Sequence, residues 1–226
     1  MDNKAHWEKI YTSKPIKEVS WYRDRLSTSL ELIGRAGLPA KAKIIDVGGG
    51  ASTLVDDLLR MGFGNVTVLD VSAAAMENSI QRLDAQAGPV QSGSVHWIEG
   101  DITDTQLGDS RYDLWHDRAV FHFLVDPAKR AAYVANATRA IKEGGFLIAA
   151  TFAPTGPAKC SGLPVERYGP EELARQFPEF ILLDNRSEQH RTPSGATQDF
   201  TYVLLQKRVR SGGANPLVDK PSRKTI

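Results

Sequence analysis

Short apolar runs rich in β-branched residues alternate along this chain with stretches whose apolar positions recur at helical spacing. The runs Lys43–Val47, Asn65–Asp70, Val95–Glu99, Tyr112–Asp117 and Gly145–Phe152 read as strands. Between them, Leu54, Leu58 and Leu59 share one helix face, as do Ala75, Ile80 and Leu83. A further helix is predicted to open at Asp126-Pro127, a capping acid before a first-turn proline, and to stop at Gly144-Gly145. Such alternation predicts an α/β fold with right-handed crossovers and a mostly parallel sheet covered on both faces.

The two ends depart from this rhythm. Trp21 to Gly37 carries Leu26, Leu30 and Ile33 at helical spacing, with Gly37 as its stop. Near the other end a short helix from Pro170 to about Phe177 precedes two strand-like runs, Phe180–Glu188 and Gln198–Lys207, separated by a loop at Arg191–Gly195. With no helix between them these runs are expected to pair antiparallel, because a parallel pair needs a longer crossover. The expected organisation is a helical cap or lid in 1–40, one domain in 41–210 and a flexible basic tail in 211–226.

Composition narrows the class. The 226 residues are 41% hydrophobic and 24% charged, and one cysteine forbids an internal disulfide, so neither disorder nor a disulfide scaffold fits. The apolar run around Phe146–Ala153 is far shorter than the ~20 residues of a membrane helix. The opening MDNKAHWEKI lacks the pattern of a secretory signal, so a cytoplasmic location without a membrane partner is expected. Net charge is +1, yet six basic residues against Asp219 crowd the stretch from Lys207 onward, leaving the body at −4. That is the reverse of a folded phosphate-binding surface, so no nucleic-acid partner is expected.

The chemistry concentrates at strand ends. Asp46, Gly48, Gly49 and Gly50 follow the first strand and lead into a helix, where ligands of such sheets bind and glycine permits close approach. Asp70 ends the next strand, placed to accept from ribose hydroxyls, and Asp101 with Ile102 follows the third, placed for an adenine amino group and ring. Thr53 is a poor third position for a dinucleotide fingerprint, and Asp46 would repel a pyrophosphate. An acid there favours a ligand with an ammonium and a sulfonium, whose carboxylate can meet helix amides. S-adenosylmethionine has all three groups.

With these residues the chain resembles the class I S-adenosylmethionine-dependent methyltransferases over about Trp7 to Arg208. Asp46, Gly48 and Gly50 match the family's acid-x-Gly-x-Gly pattern, Asp70 its ribose acid and Asp101 its adenine acid, while Ser52 stands where a third glycine is common. The resemblance implies a Rossmann-like, doubly wound seven-stranded sheet with one antiparallel strand inserted by the C-terminal hairpin. It implies S-adenosylmethionine as cofactor, held by these residues with Gly49, Val71 and Asp117, and no metal.

On the acceptor side, Asp117, Arg118 and His122 follow the fourth strand. His122 reads either as a general base or as a packed histidine between Phe121 and Phe123. Arg118 reads either as an anchor for an acidic substrate or as the partner of Asp117, and His116 reads as structural. Trp21 and Tyr22 are expected to join a lid over the sulfonium, with Trp7 and Tyr11 either in it or on a docked helix stripe. Asp117-Arg118, Asp126 to Arg130 followed by Tyr133, Gly162 to Pro164 and His190 resemble the thiopurine methyltransferase branch, which implies a small thiol or other soft acceptor. Cys160 then either meets that acceptor or is a buried structural thiol. A protein lysine methyltransferase and a non-catalytic cofactor-binding module are the alternatives, and neither the acceptor nor the oligomeric state is specified.

Overall fold

The structure, a computed structural model, describes residues 3–86 and 92–209; the basic tail expected at 211–226 lies outside them. Helices α1 (Asn3–Ser13) and α2 (Ser27–Arg35) lead into β1 (Lys43–Val47), α3 (Leu54–Arg60), β2 (Asn65–Asp70), α4 (Ala73–Asp84) and β3 (Val95–Glu99). There follow β4 (Tyr112–Arg118), α5 (Pro127–Ala140), β5 (Ile141–Phe152), the short pair β6 (Lys159–Cys160) and β7 (Leu163–Pro164), α6 (Pro170–Arg175), β8 (Phe180–Arg191) and β9 (Thr197–Lys207).

Seven strands form one sheet in the order β3-β2-β1-β4-β5-β9-β8. The first five pair in parallel, and β9 runs antiparallel to both β5 and β8. This is the expected seven-stranded, doubly wound sheet with one inserted antiparallel strand. Strand order reverses between β1 and β4, which opens a crevice beyond their carboxyl ends.

Side chains alternate across the sheet and divide the core in two. Ile44, Leu114, Ile148 and Tyr202 face α2 and α3. Ile45, Trp115, Leu147 and Val203 face the opposite layer, where Tyr133 of α5 and Leu173 of α6 pack. Parity therefore sends Asp46, His116 and Arg118 toward the α2 side and Asp117 toward the α5 side.

Three boundaries differ from the sequence expectation. Helix α5 ends at Ala140, because Ile141 is buried and pairs with Tyr112 at the start of β5. Gly144, at φ +71°, bends the beginning of β5 instead of stopping a helix. Helix α2 starts only at Ser27, so Trp21 and Tyr22 lie in an irregular segment that reaches the crevice, while Gly37 (φ +62°) closes the helix end as expected.

Candidate functional site

Beyond β1 the chain turns through Gly48–Thr53 into α3. Gly48 has φ +70°, and a Cβ there would lie 2.1 Å from Val120 Cγ2, so no other residue fits without displacing the loop after β4. The turn is tied to β2 by Gly48 N–H donating to the Leu69 carbonyl at 2.7 Å and Gly50 N–H donating to Asp70 Oδ2 at 3.0 Å. Ser52, in place of a third glycine, accepts from Leu54 N–H at 3.1 Å and so helps to open α3.

Asp70 also accepts from Ser72 N–H at 2.9 Å through Oδ1. Burial pushes its carboxyl up to about 6, with Asp46 adding repulsion and the backbone N–H groups of Ser72 and Gly50 opposing. Asp101 Oδ1 accepts from Thr103 N–H at 2.9 Å and from its hydroxyl at 2.7 Å. Asp46 binds His116 Nδ1 through Oδ1 at 2.7 Å, while its buried Oδ2 has no hydrogen-bond partner.

Two cavities meet over these groups. The larger, about 900 Å³ counted to its mouth, runs from Asp70, Val71, Asp101 and Ile102 toward Cys160 and Gln198. The smaller, about 480 Å³, surrounds Asp46, Gly48, Gly49, Ser52 and Tyr22. Tyr11, Trp21, Val47, Gly48 and Arg118 border both. The cleft thus gathers Asp46, Gly48, Gly49, Asp70, Val71, Asp101, Ile102, Trp21, Tyr22 and Arg118 of the sequence-derived set, and Gly50 ties to Asp70 at its edge.

Aromatic rings line the larger cavity. Trp7 of α1 packs edge-on against Trp21 and Phe123, with ring centroids 5.5 and 5.1 Å apart, and Tyr11 lies 6.0 Å from Trp21. Helix α1 is docked by Glu8, whose carboxylate accepts from Ala73 N–H at 2.6 Å and Ala74 N–H at 3.3 Å at the start of α4. Phe152 and Phe200 supply the opposite wall.

Arg118 stands where the cavities join. Its Nε–H donates to the Tyr202 hydroxyl at 2.9 Å and its Nη1 to the Trp21 carbonyl at 3.2 Å. The guanidinium lies 4.4 Å over the Phe200 ring, and Nη2 is 3.5 Å from Glu188. Burial works against its charge, but Tyr202 and Glu188 outweigh that and raise its pKa. Glu188 is shared with Arg23 at 3.0 Å and the Thr28 hydroxyl at 2.6 Å.

Two expected site residues lie elsewhere. Asp117, one residue from Arg118, points to the other face of the sheet and cannot pair with it. Its carboxylate accepts from the N–H groups of Val120 (2.8 Å) and Phe121 (3.0 Å) and from the Tyr133 hydroxyl (2.5 Å), so it shapes the loop after β4 and borders neither cavity. His122 is fully buried between Phe123 and Phe152, and Phe152 N–H donates to its Nδ1 at 3.4 Å. Burial and then the Arg118 charge lower its pKa to about 3, so it is no general base at neutral pH.

Among the residues of the thiopurine-type resemblance, Arg118 borders the cleft and the others do not. Asp126 caps α5 through Ala128 N–H at 2.8 Å, Tyr133 serves Asp117, and His190 Nε2–H donates to the Ser20 carbonyl at 2.7 Å. Cys160 does border the cleft, with burial pushing its thiol up to about 11. Gln198, Phe200 and Phe152 escaped the sequence reading; the alternation of Gln198, Phe200 and Tyr202 along β9 was the available signal.

Residues 44–145 match the family described as a methyltransferase domain. The match runs from β1 into the beginning of β5 and so takes in the glycine turn and the three strand-end acids. No curated protein matches the chain. Among solved structures of similar fold, one concerns conversion of a disulfide bond into a thioacetal group during echinomycin biosynthesis; it is 17% identical, with TM-score 0.72 over 92% of this chain and 94% of that chain. An S-adenosylmethionine-dependent methyltransferase from Methanosarcina mazei is 16% identical, with TM-score 0.65 over 78% of this chain and 97% of that one. The 1,6-didemethyltoxoflavin-N1-methyltransferase of Burkholderia thailandensis, solved with its substrate and S-adenosylhomocysteine, is 19% identical, with TM-score 0.64 over 81% and 78% of the two chains.

The residues present fit S-adenosylmethionine, the cofactor expected from the sequence, whose demethylated form is bound in the toxoflavin enzyme. The unpartnered, buried Asp46 Oδ2 beside the glycine turn is an acceptor without a donor, which suits an ammonium. A Cβ at Gly49 would lie 2.3 Å from that same oxygen, so the carboxylate sits directly under the turn.

Proposed function

We propose that the protein is an S-adenosylmethionine-dependent methyltransferase acting on a small molecule held in the aromatic end of the cleft. The observation that carries the reading is the lining of the larger cavity by rings from separate parts of the chain: Trp7 and Trp21 near its start, Phe123 after β4, Phe152 on β5 and Phe200 on β9. An apolar chamber walled by rings on several sides suits a compact ligand. The toxoflavin enzyme and the echinomycin structure place small-molecule chemistry on the same fold, which supports this reading.

In the cofactor half, Asp46 would accept from the ammonium, Asp70 from the ribose hydroxyls and Asp101 from the adenine amino group, with Val71 and Ile102 against the ring. The cofactor brings an electrophilic methyl group on sulfur. The protein then aligns the acceptor and keeps water out. Residues 1–40 act as the cap of the 41–210 domain, latched by Glu8 on α4.

The carboxylates of the cleft sit at its cofactor end, and burial keeps the Tyr11 hydroxyl and the Cys160 thiol protonated. The favoured acceptor therefore arrives with its electron pair already available, as a thiolate or another soft nucleophile does. Release of S-adenosylhomocysteine across thiols, phenols, amines, carboxylic acids and lysate proteins tests this, with S-adenosylhomocysteine and NAD compared for thermal stabilisation. Turnover confined to lysate protein would assign a protein substrate instead. Cofactor binding without turnover on any class would assign the non-catalytic module, and stabilisation by NAD alone would remove the cofactor reading.

A further inference from the structure

Asp46, His116 and Ser29 form a buried polar chain beside the glycine turn. Asp46 of β1 and His116 of β4 are register partners, so both side chains leave the same face of the sheet next to each other. His116 Nδ1 is 2.7 Å from Asp46 Oδ1, and its Nε2 is 2.9 Å from the hydroxyl of Ser29 on α2. The exposures of Asp46, His116 and Ser29 are 2%, 1% and 0%. Nearby on the same face of the sheet, the Tyr202 hydroxyl accepts from Arg118 Nε–H at 2.9 Å.

The three groups cost desolvation, and an apolar trio would fill the same space at less expense. What the arrangement secures is the direction of one carboxylate. Rotating about its Cβ–Cγ bond, an aspartate can offer either oxygen to the turn. His116 occupies Oδ1, so Oδ2 is the oxygen left unpartnered beside Gly49. A carboxylate oxygen accepts, so His116 Nδ1 carries the proton, and in the neutral imidazole Nε2 is then free to accept from Ser29.

We propose that His116 is the positioning residue of cofactor recognition: braced by Ser29 of the cap, it holds Asp46 with Oδ2 presented to the amino-acid ammonium of S-adenosylmethionine. This rests on the cofactor roles proposed above. It predicts selectivity within the ligand, since only the part carrying the ammonium feels Asp46. Ser29 belongs to α2, so the cap helix takes part in shaping the cofactor site as well as covering it.

The test compares S-adenosylhomocysteine, which carries the amino-acid group, with 5′-methylthioadenosine, which lacks it, by calorimetric titration of the full chain. His116→Leu should weaken S-adenosylhomocysteine binding at least tenfold and change 5′-methylthioadenosine binding less than twofold. His116→Asn, whose amide N–H can replace Nδ1–H, should recover most of the loss; His116→Gln, which reaches toward Ser29 instead, should not. Ser29→Ala should cost about threefold for S-adenosylhomocysteine alone, and it keeps the test readable if His116→Leu does not fold. Equal losses for both ligands would make His116 a merely structural residue. Unchanged S-adenosylhomocysteine affinity in folded His116→Leu, or in folded Ser29→Ala where His116→Leu does not fold, would overturn the proposal. A wild-type protein that binds neither ligand would instead overturn the cofactor roles themselves, and the proposal with them.

Discussion

The cofactor end and the acceptor end of the cleft are held by different kinds of interaction. At the cofactor end, Asp70 and Asp101 are fixed by backbone N–H groups at the ends of parallel strands, Ser72 after β2 and Gly50 after the neighbouring β1 for one and Thr103 after β3 for the other. At the acceptor end, Arg118 is fixed by groups distant in the chain: Trp21, Tyr202 and Glu188. The first arrangement is set by chain direction at the ends of parallel strands, so acids and glycines at set positions suffice. The second needs four segments to be in place before any of its contacts exists. Common cofactor geometry with variable acceptor chemistry is the expected outcome of that division.

The strongest way to break the comparison is Gly48→Val. A β-branched residue at φ +70° with Val120 Cγ2 at 2.1 Å from its Cβ should remove S-adenosylhomocysteine binding by more than about a hundredfold and lower stability by about 1–3 kcal/mol or more. Calorimetric titration and thermal unfolding read both. Retained binding would mean that the turn does not shape the cofactor end.

Arg118→Met probes the other end. It leaves the Tyr202 hydroxyl without its donor, but Glu188 keeps Arg23 and Thr28. The loss should therefore be about 2–3 kcal/mol in denaturant unfolding, below the usual cost of orphaning a buried ion. Acceptor KM should rise more than S-adenosylhomocysteine Kd; the reverse order would move Arg118 to the cofactor side.

Asp70→Ala should weaken S-adenosylhomocysteine binding by about 1–3 kcal/mol with the fold intact. Its carboxyl, pushed up to about 6 by burial, must be ionised to accept from both ribose hydroxyls. Wild-type affinity should accordingly be full above pH 7 and fall as pH drops through about 6, with that limb absent in Asp70→Ala. In the cofactor-free protein the sign is opposite. The raised pKa penalises the ionised form, so this group's contribution to stability is present below pH 4 and lost as pH rises through 6.

The smallest effect is expected from His122→Ala on chemistry. With its pKa near 3 and no border on the cleft, it should leave the pH dependence of kcat unshifted and change kcat less than about threefold for acceptors of any acidity, whatever it costs in stability. A selective loss for amines or phenols would restore the general-base role.

Strand and helix order, the antiparallel terminal hairpin and the placing of Asp46, Asp70 and Asp101 at strand ends were determined by the sequence alone. Hydrophobic period distinguishes strand from helix, parallel crossovers bring successive strand ends to one side, and both effects are local or topological. Chain position alone did not decide where Asp117 and His122 point. Neighbouring residues on a strand face opposite ways, which parts Asp117 from Arg118, and the burial that silences His122 comes from Phe152 on another strand. Only the tertiary structure decided that His116 grips Asp46, that Arg118 rests on Phe200, and that Trp7 and Tyr11 reach the cleft. Those contacts join side chains from separate elements, and desolvation, which sets their pKa values, depends on everything packed around them.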